Sequence, residues 1–326
     1  MRAIVQRETG SPDVLRLEEL PDPQPGEHDL LVRVHATSVN PVDVKGRKNQ
    51  GLRQFPIVLG FDVSGVVVGL GAKVAGFRVG DEVYAALNLF RHGANAELVA
   101  VDSRSAAHKP RSVDHATAAV VPLVTVTAWA ALHDRARVQP GQAVLIHAGA
   151  GGVGHIGVQL AKLFGCRVIT TASRDESIEF CRALGADQVI NYRTEDFAKR
   201  VLELTNGEGV PAILDFVGGE TLAKSVDCLA TGGQLVTILG ADTGGAGQKL
   251  LFKGATVHYE FMGIPTWRNV RQEFHAGILR NAADLIDRGL LRPHVFRKLP
   301  LAQVGEGHLL QETGHVTGKI SIVVRE

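Results

Sequence analysis

A glycine-rich turn constrains this chain more than any other feature. Ala148-Gly149-Ala150-Gly151-Gly152-Val153-Gly154 directly follows the apolar, strand-like run Ala143–His147. It directly precedes a run with Val153, Ile156, Gly157, Leu160, Ala161 and Phe164 at helical spacing. Gly149, Gly151 and Gly154 form the pattern G-x-G-x-x-G. In a strand–turn–helix context the first glycine makes the tight turn and the second lets backbone approach a pyrophosphate. The third lets helix and strand pack closely. The helix start then offers unpaired N–H groups and a positive dipole end to phosphates. The turn therefore predicts a dinucleotide site, with Ala150, Gly151, Gly152 and Val153 as its backbone contacts.

The end of the next strand selects the dinucleotide. A chain that binds NAD places Asp or Glu about 20 residues further on, against the ribose 2′-hydroxyl. Here that place holds Ser173, followed by Arg174. A carboxylate would repel a 2′-phosphate, whereas a hydroxyl and a guanidinium attract one. NADPH is the expected cofactor. The competing reading makes Ser173 a helix cap and Arg174 a solvated cation, and Asp175 and Glu176 beside them complicate the local charge.

Around this motif the chain divides in two, as 326 residues lead one to expect. Before Pro122, short apolar runs (Met1–Val5, Asp29–Ala36, Val58–Val68, Asp81–Ala86) alternate with Pro- and Gly-rich turns, the pattern of a compact barrel. After it, strand-like runs at Ala143–His147, Arg167–Thr171, Gln188–Ile190, Ala212–Phe216 and Gln234–Leu239 alternate with helical ones at Val153–Phe164, Asp175–Leu184, Asp196–Leu204 and Thr221–Leu229. That alternation predicts βαβ units and a doubly wound parallel sheet. Gly185, Gly207 and Gly232 fall where helix ends or the following turns belong. Val270–Arg288 reads as one long helix, and Lys319–Val324 as a strand returning to the first domain. The expected domains are thus 1–122 with 264–326, and 123–263.

Composition narrows the partners. Hydrophobic residues make up 45% and charged residues 21%, which is ordinary globular usage, and the formal net charge of +1 offers no nucleic-acid footprint. Cys166, Cys181 and Cys228 are widely spaced with no CxxC pair, which points to a reducing, cytoplasmic location. The N-terminus has no apolar core of signal-peptide length, and no membrane span is expected.

Further segments carry a resemblance. Asn40-Pro41-Val42-Asp43, Gly60-Phe61-Asp62-Val63-Ser64-Gly65 and Gly80-Asp81-Glu82-Val83-Tyr84 join the glycine turn, Leu184-Gly185-Ala186-Asp187, Asn191-Tyr192 and the terminal Gly318-Lys319-Ile320. Together, over essentially the whole chain, they resemble the zinc-independent quinone oxidoreductase branch of the medium-chain dehydrogenase/reductase superfamily. The resemblance implies an α/β chain: a GroES-like β-rich barrel for the substrate, a Rossmann domain for NADPH, and an active cleft between them. It also implies a homodimer through Rossmann edge strands, with Leu235–Leu239 and Ala255–Tyr259 as the candidate edge.

In zinc-dependent relatives the catalytic metal is held by Cys, His and Cys. The corresponding positions here look like Asn40, Phe61 and Leu123, none of which ligates zinc, and no four-cysteine lobe is present. The 13 histidines show neither H-x-x-x-H nor HExxH spacing. Without a Lewis acid, electron-poor acceptors such as quinones and α,β-unsaturated carbonyls are the expected substrates. The resemblance places Thr127 at the nicotinamide carboxamide and Tyr192 beside the adenosine phosphate. It places Phe216-Val217, Leu239-Gly240 and Phe261-Met262-Gly263 along the ribose and nicotinamide. Phe216 and Leu239 read equally as core, and Tyr192 as a surface aromatic.

On the substrate side, Asn40, Asp43, Lys45 and Arg47 fall on the loop after the second strand. Asn40 is the candidate donor to the substrate oxygen, Asp43 a brace, and Lys45, Tyr84 or solvent the proton source. Solvated loop cations are the plain alternative for Lys45 and Arg47. The alternative at the level of the whole protein is an NADPH-binding redox sensor, or a structural or RNA-binding module, with little turnover.

Overall fold

Strand-forming and helix-forming segments alternate much as the apolar pattern requires. The computed structural model describes residues 1–51, 54–240 and 244–325. Along the chain come β1 (Arg2–Gln6), β2 (Leu15–Glu19), β3 (Asp29–Val39), α1 (Pro41–Lys48), β4 (Ile57–Val58), β5 (Asp62–Leu70), β6 (Glu82–Ala86), β7 (Leu98–Asp102) and β8 (Ala106–His108). The short α2 (His115–Ala118) and α3 (Pro122–Trp129) follow. Next come β9 (Ala143–Ile146), α4 (Gly152–Leu163), β10 (Arg167–Ala172), α5 (Asp175–Ala183), β11 (Gln188–Asn191), α6 (Phe197–Leu204), β12 (Val210–Asp215), α7 (Gly219–Ser225), β13 (Leu229–Thr237), α8 (Gly247–Phe252) and β14 (Thr256–Tyr259). The chain ends with α9 (Ile264–Arg268), α10 (Phe274–Asp287), β15 (Val295–Pro300), α11 (Val304–Glu312) and β16 (Lys319–Val323).

Two compact units result, Met1–Val126 with Gly263–Glu326, and Thr127–Met262, the first division falling inside α3. In the first unit β3 is the organising strand. It pairs antiparallel with β5, β7 and β16 within a seven-stranded sheet, and β1 joins β2 and β4 in a smaller one. The terminal strand β16 therefore does return to the first domain. Ile4, Val39, Val44, Leu299, Val304, Ile320 and Ile322 form one core of this unit.

The second unit is a six-stranded parallel sheet in the order β11-β10-β9-β12-β13-β14. Counted from β9 this is 3-2-1-4-5-6, the doubly wound nucleotide-binding order, with its switch point between β9 and β12. Leu145, Ile169, Ile190, Ile213 and Leu235 from the strands meet Val201, Leu222 and Val226 from the covering segments. Burial on both faces explains why these strands read as unbroken apolar runs.

Several expectations are corrected. The run Val270–Arg288 is not one helix: α10 starts only at Phe274, after Asn269 (φ 53°) and Arg271 (φ 49°) adopt left-handed backbone that no helix tolerates. Gly232 (φ 73°) lies inside β13 rather than at a helix end. Gly185 (φ 99°) and Gly207 (φ 86°) do take the left-handed conformation just past α5 and α6. One segment, His115–Arg135, meets the length and composition of a membrane span, and 83% of its apolar window is buried inside the fold, as in a core segment.

Candidate active site

The glycine turn joins the C-terminal end of β9 to the start of α4, and each glycine answers a different demand. A Cβ on Gly149 would lie 2.1 Å from Thr170 Oγ1 on β10, and one on Gly154 would lie 2.1 Å from the Ala148 carbonyl oxygen. Both positions exclude any side chain. The left-handed residue of the turn is Ala148 (φ 54°), not Gly149, so Gly149 is required by crowding rather than by backbone conformation. Gly151, the N-cap of α4, is different: its Cβ would meet only the Ala148 oxygen, at 3.2 Å. The protein itself leaves room there, on the backbone that carries the pyrophosphate contacts expected of the motif. Ala150, Gly151, Gly152 and Val153 are all half-buried. These features fit a dinucleotide: a close-packed turn, an open N-cap and a position at the sheet's switch point.

The ribose end lies at the neighbouring strand ends. β10 and β11 pair in parallel with Ala172 opposite Asn191, and the Tyr192 N–H continues the ladder to the Ala172 oxygen at 3.2 Å. Ser173, Arg174 and Tyr192 thus leave adjacent strands side by side. The residue in the cap position of α5 is Arg174, so Ser173 lies outside the helix and the capping alternative is set aside. The Arg174 guanidinium donates to Ser177 Oγ at 3.2 Å. Tyr192 is 52% exposed, while Ser173 and Arg174 are half-buried. Asp175 and Glu176 occupy the first turn of α5, where a helix dipole favours anions.

The remaining cofactor candidates also follow strand ends. Phe216-Val217 follow β12, Leu239-Gly240 follow β13, and Phe261-Met262-Gly263 follow β14. This is the edge of a parallel sheet where ligands bind. Val217 is 47% and Phe261 38% exposed, whereas Met262 is buried at 6%. Phe216 packs over α4, its Cε2 lying 3.8 Å from a Cβ built on Gly157, so it belongs partly to the core. Thr127 lies within α3 and is buried at 4%.

The substrate-side candidates are rearranged by the structure. The segment after the second long strand is helix α1, not a loop, because Pro41 sits in its first turn and Asn40 in its cap position. Asp43 Oδ2 accepts from the Asn40 backbone N–H at 2.8 Å, and Asp43 Oδ1 from the Gly60 N–H at 2.9 Å. Burial pushes the Asp43 carboxyl up to about 6, against these two hydrogen bonds and the nearby Lys319. Asp43 thus ties the start of α1 to the turn before β5.

Asn40 is not available to a substrate oxygen. It is fully buried; its Nδ2 donates to Asp62 Oδ2 at 2.7 Å and its Oδ1 accepts from Lys319 Nζ at 2.5 Å. Asp62 also accepts from Ser38 Oγ at 2.6 Å and from the Leu123 N–H at 2.7 Å. Lys319 donates further to the Val39 oxygen at 2.7 Å, and burial lowers its pKa. The sequence reading singled out Asn40 but missed Asp62 and Lys319 as its partners; the signal was a charge opening each of two otherwise uncharged strands, β5 and β16.

Tyr84 is likewise removed as a proton source. Its hydroxyl donates to the Leu279 carbonyl oxygen at 2.5 Å, and burial raises its pKa. Arg47 is no solvated cation: it is buried at 1%, with its guanidinium on the Gly10 oxygen and, at 2.5 Å, on Glu312 Oε1. Lys45 alone of this group is exposed.

Sequence comparison now bears on this arrangement. A family described as "Alcohol dehydrogenase GroES-like domain" matches residues 26–111, and one described as "Zinc-binding dehydrogenase" matches residues 152–276. The human protein named "NAD(P)H oxidoreductase RTN4IP1, mitochondrial" is 34% identical over 91% of this chain and 82% of its own length. A Burkholderia "2-haloacrylate reductase" is 31% identical over 99% and 98%. The Escherichia coli quinone oxidoreductase solved with NADPH superposes with a TM-score of 0.90 at 27% identity, over 99% of this chain and all of the other. Metal-holding residues separate the branches of this superfamily. In this chain no group of three His, Cys, Asp or Glu side chains among the described residues is arranged to hold a metal, and Asn40, Phe61 and Leu123, the positions that the resemblance sets against those ligands, carry no zinc-binding side chain.

The chain belongs to the zinc-independent quinone oxidoreductase branch of the medium-chain dehydrogenase/reductase superfamily.

Within that branch its two units are the GroES-like domain and the Rossmann domain. In this chain Asn40 is hydrogen-bonded to the Asp62 carboxylate and the Lys319 ammonium, and those two form a buried ion pair at 3.7 Å.

Proposed function

We propose that the protein transfers hydride from NADPH to a quinone or an α,β-unsaturated carbonyl compound. The observation that carries this reading is the pair of substitutions at its two ends. Ser173-Arg174 follow β10 in place of the carboxylate expected of an NAD site, and Asn40, which the resemblance sets against a metal ligand, is tied into a buried network with Asp62 and Lys319. The cofactor, when bound, supplies the hydride. The turn Ala150–Val153 would hold its pyrophosphate, Ser173, Arg174 and Tyr192 its 2′-phosphate, and Thr127 with the segments after β12, β13 and β14 its nicotinamide half. With no Lewis acid, the protein contributes positioning and exclusion of water, which suffices for acceptors that are already electron-poor. The proton that completes reduction comes from Lys45 or from solvent, since Asn40, Asp43 and Tyr84 are buried and committed to other partners.

Mixing the protein with NADPH and a panel of quinones and enones tests this directly. Loss of reduced-nicotinamide absorbance with at least one class is expected. Tight NADPH binding with no turnover on any acceptor would favour the redox-sensor or structural alternative instead.

Two further expectations belong to this reading. A homodimer would form through β14, one of the two edges of the parallel sheet, which carries exposed Tyr259 (58%) and follows exposed Leu251 (74%) and Phe252 (77%) in sequence. The segment Leu235–Leu239 is not part of that edge, because β13 is paired on both sides. Light scattering gives the mass in solution. A cytoplasmic location is supported by three free, buried cysteines, and cell fractionation checks it.

A further inference from the structure

Two successive parallel strands end in a buried polar residue, and a third is followed by one. Asp215 closes β12 and is fully buried, Thr237 closes β13 and is fully buried, and Glu260, just past β14, is 4% exposed. Each stands immediately before or within two residues of a segment read as lining the cofactor. A polar side chain taken out of water in a sheet interior costs stability unless it is satisfied. An apolar residue would serve the core better at all three places.

The hydrogen bonds show what these side chains hold. Asp215 Oδ1 accepts from the Val217 N–H at 3.1 Å, and its Oδ2 from the Gly218 N–H at 2.9 Å. The turn after β12 is thereby folded back onto its own strand, with Gly218 at φ 79°. Asp215 and Thr237 are register partners across β12 and β13, and the one Thr237 hydroxyl proton is shared between Asp215 Oδ2 and the Leu239 carbonyl oxygen, each at 3.4 Å. Thr237 Oγ1 in turn accepts from the Leu239 N–H at 3.2 Å. One continuous chain of bonds therefore runs from Val217 and Gly218 through Asp215 and Thr237 to Leu239. Beyond it, the Glu260 N–H donates to the Thr237 oxygen at 2.9 Å, and the Glu260 carboxylate accepts from Arg135 Nε at 2.7 Å.

We infer that Asp215 and Thr237 are positioning residues for the cofactor, a polar tie that fixes the spacing of the Phe216-Val217 and Leu239-Gly240 segments on either side of it. The inference rests on the reading that those two segments line NADPH. Neither residue touches the ligand in this account. The pair acts through the backbone, by stopping the two strand-end turns from relaxing independently. A geometric tie of this kind matters because misplacement of a lining segment by about 1 Å is enough to lose a large part of binding and rate.

The test uses the full chain and NADPH itself. Thr237→Val keeps shape and loses the hydroxyl, Thr237→Ser keeps the hydroxyl, and Asp215→Asn keeps the outline and loses the charge. NADPH dissociation constants are read by nucleotide fluorescence, with circular dichroism melting alongside. The expected result is a rise of about 5- to 10-fold in the dissociation constant for Thr237→Val and Asp215→Asn, with Thr237→Ser within about twofold of the parent. Wild-type affinity in a folded Thr237→Val protein overturns the inference, as does equal damage in Thr237→Ser. Should Asp215→Asn fail to fold, the Thr237 pair decides alone. Val217→Glu and Leu239→Glu form the separate arm. If these leave NADPH binding intact, the lining reading itself is wrong; if they weaken it while Thr237→Val does not, only the tie is wrong.

Discussion

Replacing Gly154 and Gly151 by alanine separates what the glycine turn needs for folding from what it needs for its ligand. A methyl group on Gly154 would sit 2.1 Å from the Ala148 oxygen and 2.8 Å from both the Ala148 carbonyl carbon and Gly149 Cα. All three are backbone atoms, so no side chain can swing aside. Ordinary contact requires the start of α4 to move off the turn by roughly 1 Å. Alanine is the better helix former by about 1 kcal/mol, which offsets only part of an overpacking cost of about 1–3 kcal/mol or more. A Tm lowered by several degrees is expected, at about 2–4 °C per kcal/mol for a unit of this size. Because the displaced helix start carries the phosphate contacts, kcat/KM for NADPH falls about 100-fold as well. Gly151→Ala meets only the Ala148 oxygen at 3.2 Å, which a shift of a few tenths of an ångström relieves, and φ −77° suits any residue. Its Tm stays within about 1 °C of the parent. Its methyl nevertheless occupies the surface assigned to the pyrophosphate, so NADPH affinity drops steeply. Calorimetry and fluorescence titration read the two effects. If both variants lose stability and affinity in step, or if Gly151→Ala binds NADPH normally, the division of labour argued here is wrong.

Buried polar groups of the first unit give three further outcomes. Lys319→Met leaves Asp62 and Asp43 without their cation and costs about 3–5 kcal/mol, seen in urea unfolding, whereas Lys319→Met with Asp62→Asn recovers much of the loss. For Asp43 the folded carboxyl titrates at about 6 against an ordinary 3.8, so the unfolded state releases its proton first. Its contribution to stability is complete below about pH 4 and is lost as pH rises through about 6, a decline of about 3 kcal/mol. Asp43→Asn flattens that slope between pH 4 and 6, while lowering stability throughout, because one backbone N–H loses its acceptor. Tyr84→Phe removes a bond to the Leu279 oxygen and nothing else; stability falls by about 1 kcal/mol with kcat unchanged, and a large fall in kcat would restore Tyr84 as a proton donor.

The Rossmann unit was legible because its signals are local. Each buried parallel strand is a short apolar run, each helix has its own periodicity, and the glycine turn is contiguous in sequence. The doubly wound parallel sheet and the strand–turn–helix around the glycine motif followed from such runs, with α4 starting at Gly152, one residue before the expected Val153. What could not be read depends on residues far apart. Asn40 reads as an exposed loop amide until β16 brings Lys319 against it, 279 residues further along. Tyr84 reads as a free phenol until Leu279 closes over it, and Arg47 as a solvated cation until Glu312 pairs with it. Backbone strain was equally invisible: nothing in the residue types at Ala148 or Arg271 announces a positive φ, and the second of these cut the predicted long helix short. The strand β15 and helix α11 escaped notice because Val295–Pro300 alternates weakly and carries mostly exposed side chains.

The central claim is that a hydroxyl and a guanidinium at the end of β10, in place of a carboxylate, select the phosphorylated dinucleotide. Steady-state kcat/KM for NADPH and NADH with one quinone, in the parent and in Arg174→Ala, measures it. The account predicts a clear preference for NADPH that Arg174→Ala cuts by about 10- to 100-fold, with the NADH value unchanged. Equal use of both nucleotides by the parent, or an Arg174→Ala protein that keeps its preference, contradicts it.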